Sequence, residues 1–197
     1  MSEREQALPK LARLRTPELH EGGPRLVLVG PMGSGKTTVG TRVANRLGLA
    51  FVDSDREIER EAARSIPEIF ASEGEQYFRA LEERVIARLL AEHEGILALG
   101  GGAVTSPATR ERLRDRLVVR LLLDADHARE RIGSGMGRPV LAGDDPHARW
   151  IQVSKEREPL FAQVAVWALN TCEASPDELA ATLARELTSP QPTTTLD

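Results

Sequence analysis

Short apolar runs alternate with stretches of helical periodicity along most of the chain. The runs predict strands, and they fall at residues 25–30, 50–53, 96–99, 117–123 and 164–169. Between them, apolar residues recur every three or four positions, as from Thr38 to Leu47 and from Glu75 to Glu92. This alternation predicts an α/β fold, a three-layer sandwich whose central five-stranded parallel sheet has helices on both faces. Ligands of such folds bind at the carboxyl ends of the strands.

The pattern weakens at both ends of the chain and in one internal segment. Residues 1–24 are rich in charge, proline and glycine, which predicts a flexible, loosely attached N-terminal extension compatible with a short helix from Gln6 to Leu14. Residues 189–197 predict a disordered tail, so that the domain spans 25–188. Residues 133–149 contain four glycines and two prolines and predict a mobile loop that could act as a lid.

Composition limits the partners and the compartment. The length of 197 residues suits one domain, and a net charge of −4 provides no general basic surface, so no nucleic acid is expected as a partner. No apolar run approaches the ~18 residues of a membrane span, and the charged N-terminus does not resemble a secretory signal. The one cysteine, Cys172, cannot form an intramolecular disulfide. A cytoplasmic protein with no membrane association is therefore expected.

The strongest chemical motif runs from Gly30 to Thr37 and has the spacing G-x-x-x-x-G-K-[ST] of a phosphate-binding loop. It lies between a predicted strand and a predicted helix, the order that such a loop requires, which disfavours a glycine-rich turn that merely contains a lysine. Backbone N–H groups and the helix N-terminus would face the phosphates, and the Thr37 hydroxyl would ligate a magnesium ion, Mg2+. The motif predicts a site for nucleotide phosphates at Gly33, Ser34, Gly35, Lys36, Thr37 and Thr38.

Two carboxylates, Asp53 and Asp55, follow the second predicted strand. At that edge of the sheet one could complete the Mg2+ shell through water, and the other could hold or deprotonate a substrate hydroxyl. Alternatively, Asp55 caps a helix that begins near Arg56, a role that does not exclude the first.

Three consecutive glycines, Gly100, Gly101 and Gly102, follow the third predicted strand. Glycines are kept where a group must approach the backbone closely, although a plain tight turn is the alternative. Several arginines also precede distinctive segments, and arginine suits a two-pronged grip on a carboxylate or phosphate. Composition alone does not select among them.

Seven motifs together resemble those of the shikimate kinase family, in order and across residues 25–188. They are Gly30–Thr37; Phe51–Asp55 with Ile58-Glu59; Ser65-Ile66 with Glu68–Phe70; Gly74-Glu75 with Phe78-Arg79 and Glu82; Leu99–Ala103; Arg138–Leu141; and Arg157–Phe161. The resemblance implies a P-loop kinase with a mobile lid that uses ATP and Mg2+ to phosphorylate the 3-hydroxyl of shikimate, on the pathway to chorismate. It also implies a monomer whose small-molecule partners are shikimate and ATP.

The resemblance assigns roles to individual residues. Lys36 and Thr37 would hold ATP phosphate and metal, with Asp53 as a second metal partner, and Asp55 would bind ring hydroxyls and act as the base. The resemblance also implies that shikimate contacts Arg79, Gly100, Gly101, Gly102 and Arg157. The adenine would contact Arg131, and the transferring phosphoryl group would contact Arg138. Glu82 is expected to orient Arg79, three residues earlier on the same helix face.

Two other functions remain open. Another small-metabolite kinase, related to gluconate or adenylate kinases, would share the loop and lid but match the remaining motifs less well. A non-catalytic shikimate sensor would lack ATP turnover, and the presence of Asp53, Asp55, Arg79 and Arg157 disfavours it. The four histidines show no metal-ligand spacing and receive no role, and Cys172 and Trp150 are interpreted as packing residues.

Overall fold

A computed structural model describes residues 9–15, 22–133, 139–141 and 145–189. These residues form one six-stranded sheet in the order β1-β6-β5-β2-β4-β3, parallel except for the β1–β6 pair. The strands are β1 (Leu11–Arg13), β2 (Leu26–Val29), β3 (Phe51–Asp53), β4 (Ile96–Ala98), β5 (Val118–Leu122) and β6 (Trp167–Asn170). The five predicted parallel strands and the α/β class are confirmed, and β1 adds a sixth strand.

The described residues also form seven α-helices on the two faces of the sheet. They are α1 (Lys36–Leu47), α2 (Ser54–Ala62), α3 (Ile66–Glu92), α4 (Pro107–Arg112), α5 (Ala125–Ile132), α6 (Pro146–Val164) and α7 (Pro176–Thr188). Within the described ranges, no helix combines the length and the apolar character needed to cross a lipid bilayer.

Alternation along the buried strands divides the core into two layers. On β2, Leu26 and Leu28 pack into a cluster with residues of α1 and α7. Val27 and Val29 point the other way and pack with residues of α2, α3 and α6. Successive side chains of a strand point to opposite faces, so a strand that is apolar at every position is buried by helices on both sides. The predicted three-layer sandwich, with helices on each side of the central sheet, follows from this pattern.

The N-terminal extension differs from its prediction where the structure describes it. Leu11–Arg13 forms β1, paired antiparallel with Trp167 to Leu169 of β6, in place of the predicted loose attachment and of the short helix with which the composition was compatible. Without β1, the β6 edge would leave backbone N–H and C=O groups unpaired. Arg13 strengthens the contact, because its guanidinium lies 5.7 Å from the Trp167 ring centre and pairs with Glu186 at 2.6 Å. The predicted flexibility of residues 1–8 and 16–21, and of the tail from 190, concerns residues outside the described ranges.

The chain changes direction across the sheet at β2. From β2 it runs to the edge strand β3 and returns to β4 beside β2, and then it crosses to β5 on the other side of β2. Crevices form at the carboxyl ends of the strands where the order reverses in this way, and ligands bind there. The phosphate-binding loop follows β2 and therefore lies at this crevice.

Candidate active site

The loop from Gly30 to Thr37 joins β2 to α1 through backbone conformations that favour glycine. Gly30, Gly33 and Gly35 have φ values of 147°, 80° and 87°. Gly35 is the N-cap residue of α1 and offers no side chain to bind the first N–H groups of the helix. These donors, with the positive end of the helix dipole, are suited to bind phosphate.

Lys36 and Thr37 lie at the start of α1. The Lys36 ammonium group donates hydrogen bonds to the carbonyl oxygens of Gly30 (2.9 Å) and Pro31 (3.0 Å), which holds it over the loop. The Thr37 hydroxyl donates to Asp53 Oδ2 at 2.6 Å. Neighbouring hydroxyl and carboxylate oxygens are hard donors, so this pair fits a hard divalent cation such as Mg2+.

The nucleotide cavity, of about 490 Å³, is lined by the loop, by Arg131 and by the segment after β6. All six predicted loop residues, from Gly33 to Thr38, line it. Arg131 donates to the hydroxyl and the carbonyl oxygen of Thr171, at 3.0 and 2.7 Å, which fixes the guanidinium at the cavity wall. Thr171 lies in the segment from Asn170 to Pro176, to which the family resemblance assigns the adenine loop, although no local motif distinguishes this single threonine.

The acceptor cavity, of about 270 Å³, adjoins the same loop at Met32. The structure brings together here all the residues that were predicted to contact substrate, namely Asp55, Arg79, Gly100, Gly101, Gly102 and Arg157. They come from α2, α3, the loop after β4, and α6. The remaining wall is formed by the apolar side chains of Ile66, Pro67, Phe70 and Phe78, the Glu59 and Glu82 side chains, and the turn residues Pro139 and Val140.

The two carboxylates at the end of β3 and the start of α2 have different tasks. Asp53 is the N-cap residue of α2, since its Oδ1 accepts a hydrogen bond from the Asp55 N–H at 3.0 Å. The alternative that Asp55 caps this helix is therefore wrong, because α2 begins two residues before Arg56, at Ser54. Burial, reinforced by the negative charges of Asp53 and Glu82, raises the pKa of Asp55 from 3.8 to about 7. A carboxylate that titrates near neutrality is suited to accept a proton.

The three glycines leave room for two functional side chains. A Cβ atom at Gly100 would lie 2.3 Å from Asp55 Oδ1, and one at Gly102 would lie 2.2 Å from Arg79 Nη1. A Cβ atom at Gly101 would meet only an ordinary contact, 3.5 Å from Met32. The groups that approach the glycine backbone closely, as predicted, are therefore side chains of the protein itself: Asp55 at Gly100 and Arg79 at Gly102.

We expect Gly102→Ala to raise KM for the carboxylate-bearing acceptor about tenfold while leaving KM for ATP within about twofold, because the new methyl group displaces the Arg79 guanidinium. The backbone of Gly102, at φ −95° and ψ −15°, accommodates alanine without strain. Gly101→Ala is the matched control, and steady-state kinetics with each substrate varied in turn makes the comparison. Equal changes in the two variants would contradict this explanation of the glycines.

The two arginines of the acceptor cavity are held in different ways. Arg79 pairs with Glu82 at 2.7 Å and with Glu75 at 3.1 Å, which confirms the expected pairing with Glu82. Burial opposes the charge of Arg79, but the carboxylates outweigh it and its pKa is raised. Arg157 donates to the carbonyl oxygen of Gly101 at 3.0 Å, and burial together with the charge of Arg79 lowers its pKa. Two cations so close together favour an anionic ligand between them.

A break in α3 lets both of its halves line the cavity. Gly74 has φ 81° and ψ 175°, which interrupts the helix between Ile66 and Glu92. Phe70 and Phe78 pack across the break with ring centres 4.7 Å apart, and the Arg79 guanidinium lies 5.2 Å from the centre of the Phe78 ring. The predicted helix from Glu75 to Glu92 is the second half of α3.

Two further residues support the loops around the cavities. The buried Ser54 hydroxyl accepts a hydrogen bond from the Gly100 N–H at 2.9 Å and so joins the glycine loop to α2. Trp150 is buried, as its interpretation as a packing residue requires, and its Nε1 also donates to the Met32 carbonyl at 3.0 Å. Sequence reasoning missed Ser54 and this hydrogen bond, since neither has a local signal.

Only part of the predicted lid, 133–149, falls within the described ranges. Pro139–Leu141 forms a short 3-10 turn, and Leu141 packs against Trp150. The prediction of an irregular loop is wrong for residues 146–149, which form the first turn of α6, capped by Asp145. Arg138 lies outside the described residues, so its role stays a prediction.

Comparisons with known proteins agree with one another. A family model described as shikimate kinase matches residues 32–188. The chain is similar to the shikimate kinases of Rhodococcus jostii (42% identical over 164 residues, 83% of this chain and 98% of the relative) and Saccharopolyspora erythraea (45% over 166 residues, 84% and 95%). Among solved structures, it resembles shikimate kinase from Acinetobacter baumannii in complex with shikimate, with a TM-score of 0.80 and 37% identity over 85% of this chain and 93% of that one.

Proposed function

The chain belongs to the shikimate kinase family, and from this premise we propose that it transfers the γ-phosphoryl group of ATP to the 3-hydroxyl of shikimate. The products are shikimate 3-phosphate and ADP, on the pathway to chorismate and the aromatic amino acids. The solved relative from Acinetobacter baumannii binds shikimate, which supports the choice of acceptor.

The proposal rests on the side chains that line the acceptor cavity. Arg79 and Arg157 offer cationic donors to one carboxylate, while Asp55 offers an acceptor to a hydroxyl. Met32 belongs to the phosphate-binding loop and also lines this cavity, so an acceptor held there is adjacent to the phosphates. A small hydroxylated carboxylic acid is the ligand that satisfies both groups.

The residues around the phosphates supply positioning and charge. Phosphoryl transfer requires little covalent chemistry from the protein and depends on orientation and charge neutralisation. Lys36 and the first N–H groups of α1 bind the ATP phosphates, and Arg131 lies against the adenine. Thr37 and Asp53 would hold Mg2+, directly or through water, and such an ion would supply positive charge to neutralise the phosphates. Arg138 is assigned to the transferring group from the family motif alone.

Asp55 accepts the proton of the acceptor hydroxyl. With a pKa raised to about 7, its carboxylate takes the 3-hydroxyl proton near neutral pH as the oxygen attacks the γ-phosphorus. Glu82 is a positioning residue, because it pairs with Arg79 and is only 4% exposed. The N–H groups of Gly101 and Gly102 are assigned to the same acceptor.

The test is ADP release by the purified protein with Mg-ATP and either shikimate, gluconate, AMP or no acceptor. We expect stimulation by shikimate alone. Stimulation by gluconate or AMP instead would leave the assignment of the ATP site intact, but it would show that shikimate is not the acceptor. Tight shikimate binding without turnover would favour a non-catalytic sensor.

The same proposal includes a monomer that works in the cytoplasm without nucleic acid. The family resemblance supports the monomer, and the net charge of −4 gives no general attraction for a polyanion. Sedimentation equilibrium at micromolar concentration, with and without substrates, tests the monomer.

A further inference from the structure

Three side chains of metal-binding type meet beside the nucleotide cavity, and none of them has a binding or catalytic role in the function proposed above. Asp124 is the N-cap residue of α5, His127 lies in the first turn of that helix, and Cys172 follows β6. One ligand atom from each lies within 4.8 Å of the other two. Within the described part of the chain, no other group of three histidine, cysteine, aspartate or glutamate side chains has this spacing.

The contacts within this cluster centre on the Asp124 carboxylate. His127 Nδ1 lies 2.8 and 2.9 Å from the two carboxylate oxygens, and the Cys172 sulfur lies within 4.8 Å of an oxygen of the same carboxylate. The Cys172 N–H donates to Asn170 Oδ1 at 2.9 Å, which constrains the loop that presents the thiol. Helix capping explains the Asp124–His127 contact, but it does not explain a thiol brought to the same carboxylate from another element.

We propose that Asp124, His127 and Cys172 form a binding site for a thiophilic divalent cation of the Zn2+ type. A thiolate, an imidazole and a carboxylate are the donors that Zn2+ prefers, and a tetrahedral ion would keep its fourth position for water. Bonds of about 2.0–2.3 Å place tetrahedral ligand atoms about 3.3–3.7 Å apart, so the cluster needs adjustments of about 1 Å. On binding, the thiol proton passes to solvent as the thiolate forms, and the neutral imidazole binds through the ring nitrogen that carries no proton.

The cluster is accessible and differs in chemistry from the Mg2+ position. The side chains of Asp124 and His127 are 53% and 40% exposed, which gives an ion a path to the site. Thr37 and Asp53 offer only oxygen donors, which suit Mg2+, whereas a thiolate with an imidazole selects a softer ion. An excess of Mg2+ therefore fills one position and leaves the other for Zn2+.

The cluster is connected directly to the nucleotide cavity. Cys172 follows Thr171, which accepts both described hydrogen bonds of Arg131, and Thr171 and Arg131 both line that cavity. When the Cys172 thiolate binds a cation, the backbone next to Thr171 shifts. This shift weakens the hydrogen bonds between Arg131 and Thr171. The bound cation is therefore expected to weaken nucleotide binding, and by reciprocity the nucleotide weakens cation binding.

Binding is tested with Co2+ as a spectroscopic substitute for Zn2+. The full chain, without nucleotide and with excess Mg2+ and a phosphine reductant, is titrated with Co2+. We expect one equivalent to produce the near-ultraviolet charge-transfer absorption of a Co2+–thiolate bond, and Zn2+ to abolish it. Cys172→Ser should lose the band, and His127→Ala should weaken binding at least tenfold.

His93→Ala is the matched control, since His93 contacts the Ile96 carbonyl oxygen away from the cluster and its loss should not affect Co2+ binding. A wild-type protein without the band would overturn the proposed site. So would a band that persists in Cys172→Ser, or an affinity that His127→Ala leaves unchanged.

The connection to the nucleotide cavity has its own test. The affinity for a fluorescent Mg-ADP analogue is measured at buffered free Zn2+ in the wild type and in Cys172→Ser. We expect Zn2+ to weaken binding about fivefold in the wild type alone. Chelation of Zn2+ by the nucleotide is the same for both proteins and cancels in the comparison. Equal affinities with and without Zn2+ in the wild type would contradict the connection.

Discussion

Replacing Asp55 by asparagine is expected to lower kcat about a thousandfold and, at pH 8, to raise the free energy of unfolding by roughly 2–4 kcal/mol. Asparagine has nearly the same shape but does not accept the hydroxyl proton. The loss of activity therefore reflects the missing base, and KM for ATP should change little.

The gain in stability follows from the environment of the carboxylate. Burial is the largest cause of the raised pKa of Asp55, followed by the charges of Asp53 and Glu82, while Lys36 acts in the opposite direction. At pH 8 the folded protein holds an ionised group where the neutral form is preferred, whereas the unfolded chain ionises it in water. Asparagine removes this cost.

The sign of the pH dependence is fixed by the two pKa values. The folded-state pKa of about 7 lies above the ordinary 3.8, so the folded state binds more protons between them. The stability that protonation of Asp55 provides is fully present below pH 3.8 and is lost as the pH rises through 7. The advantage of Asp55→Asn should therefore be full at pH 8 and should disappear towards pH 4.

Urea unfolding of both proteins from pH 4 to pH 8 measures this difference, with Asp115→Asn, at an exposed carboxylate, as the control. In the wild type, turnover should fall about tenfold per pH unit below pH 7, as the base becomes protonated. A stability gain that does not depend on pH, or that the control shares, would contradict the assignment of the cost to the Asp55 charge.

The parts of the site that were predictable from residues alone are those encoded locally. The loop from Gly30 to Thr37 contains its glycines, lysine and threonine in one segment, and its flanking strand and helix have clear periodicity. The buried strands were equally recognisable, because parallel strands covered on both faces are continuous apolar runs.

The acceptor cavity was not predictable in this way, because its residues come from four separate elements. Arg79 and Arg157 are far apart in sequence and look like ordinary surface charges, and only the family resemblance distinguished them from the other arginines. The reason for Gly102 is visible only in space, where its missing side chain makes room for the Arg79 guanidinium.

Two other features depend on long-range contacts that leave almost no local pattern. The strand Leu11–Arg13 is three residues long, too short to show a period, and it forms because β6 offers an unpaired edge. The approach of Cys172 to Asp124 and His127 likewise depends on β5 and β6 being neighbours in the sheet. Spacing along the chain therefore gave no indication of a metal-binding group.

Replacing Arg157 by alanine is expected to raise KM for shikimate about a hundredfold and to leave KM for ATP within about twofold. Within the described part of the chain, Arg157 donates a hydrogen bond to the Gly101 carbonyl and not to a carboxylate. Its positive charge is thus available to an anionic ligand, whereas the charge of Arg79 is shared with Glu82 and Glu75. Lys155→Ala, which removes an exposed cation from the same helix, is the control.

A change in the ligand separates the loss of this charge from a general disturbance of the cavity. The amide of shikimate lacks the carboxylate charge, so the wild type should prefer the acid to the amide by about a hundredfold in kcat/KM. If Arg157 binds that carboxylate, the preference should fall to within about tenfold in Arg157→Ala, with the remainder due to Arg79. A variant that loses activity equally towards the acid and the amide would show that Arg157 shapes the cavity and does not bind the carboxylate.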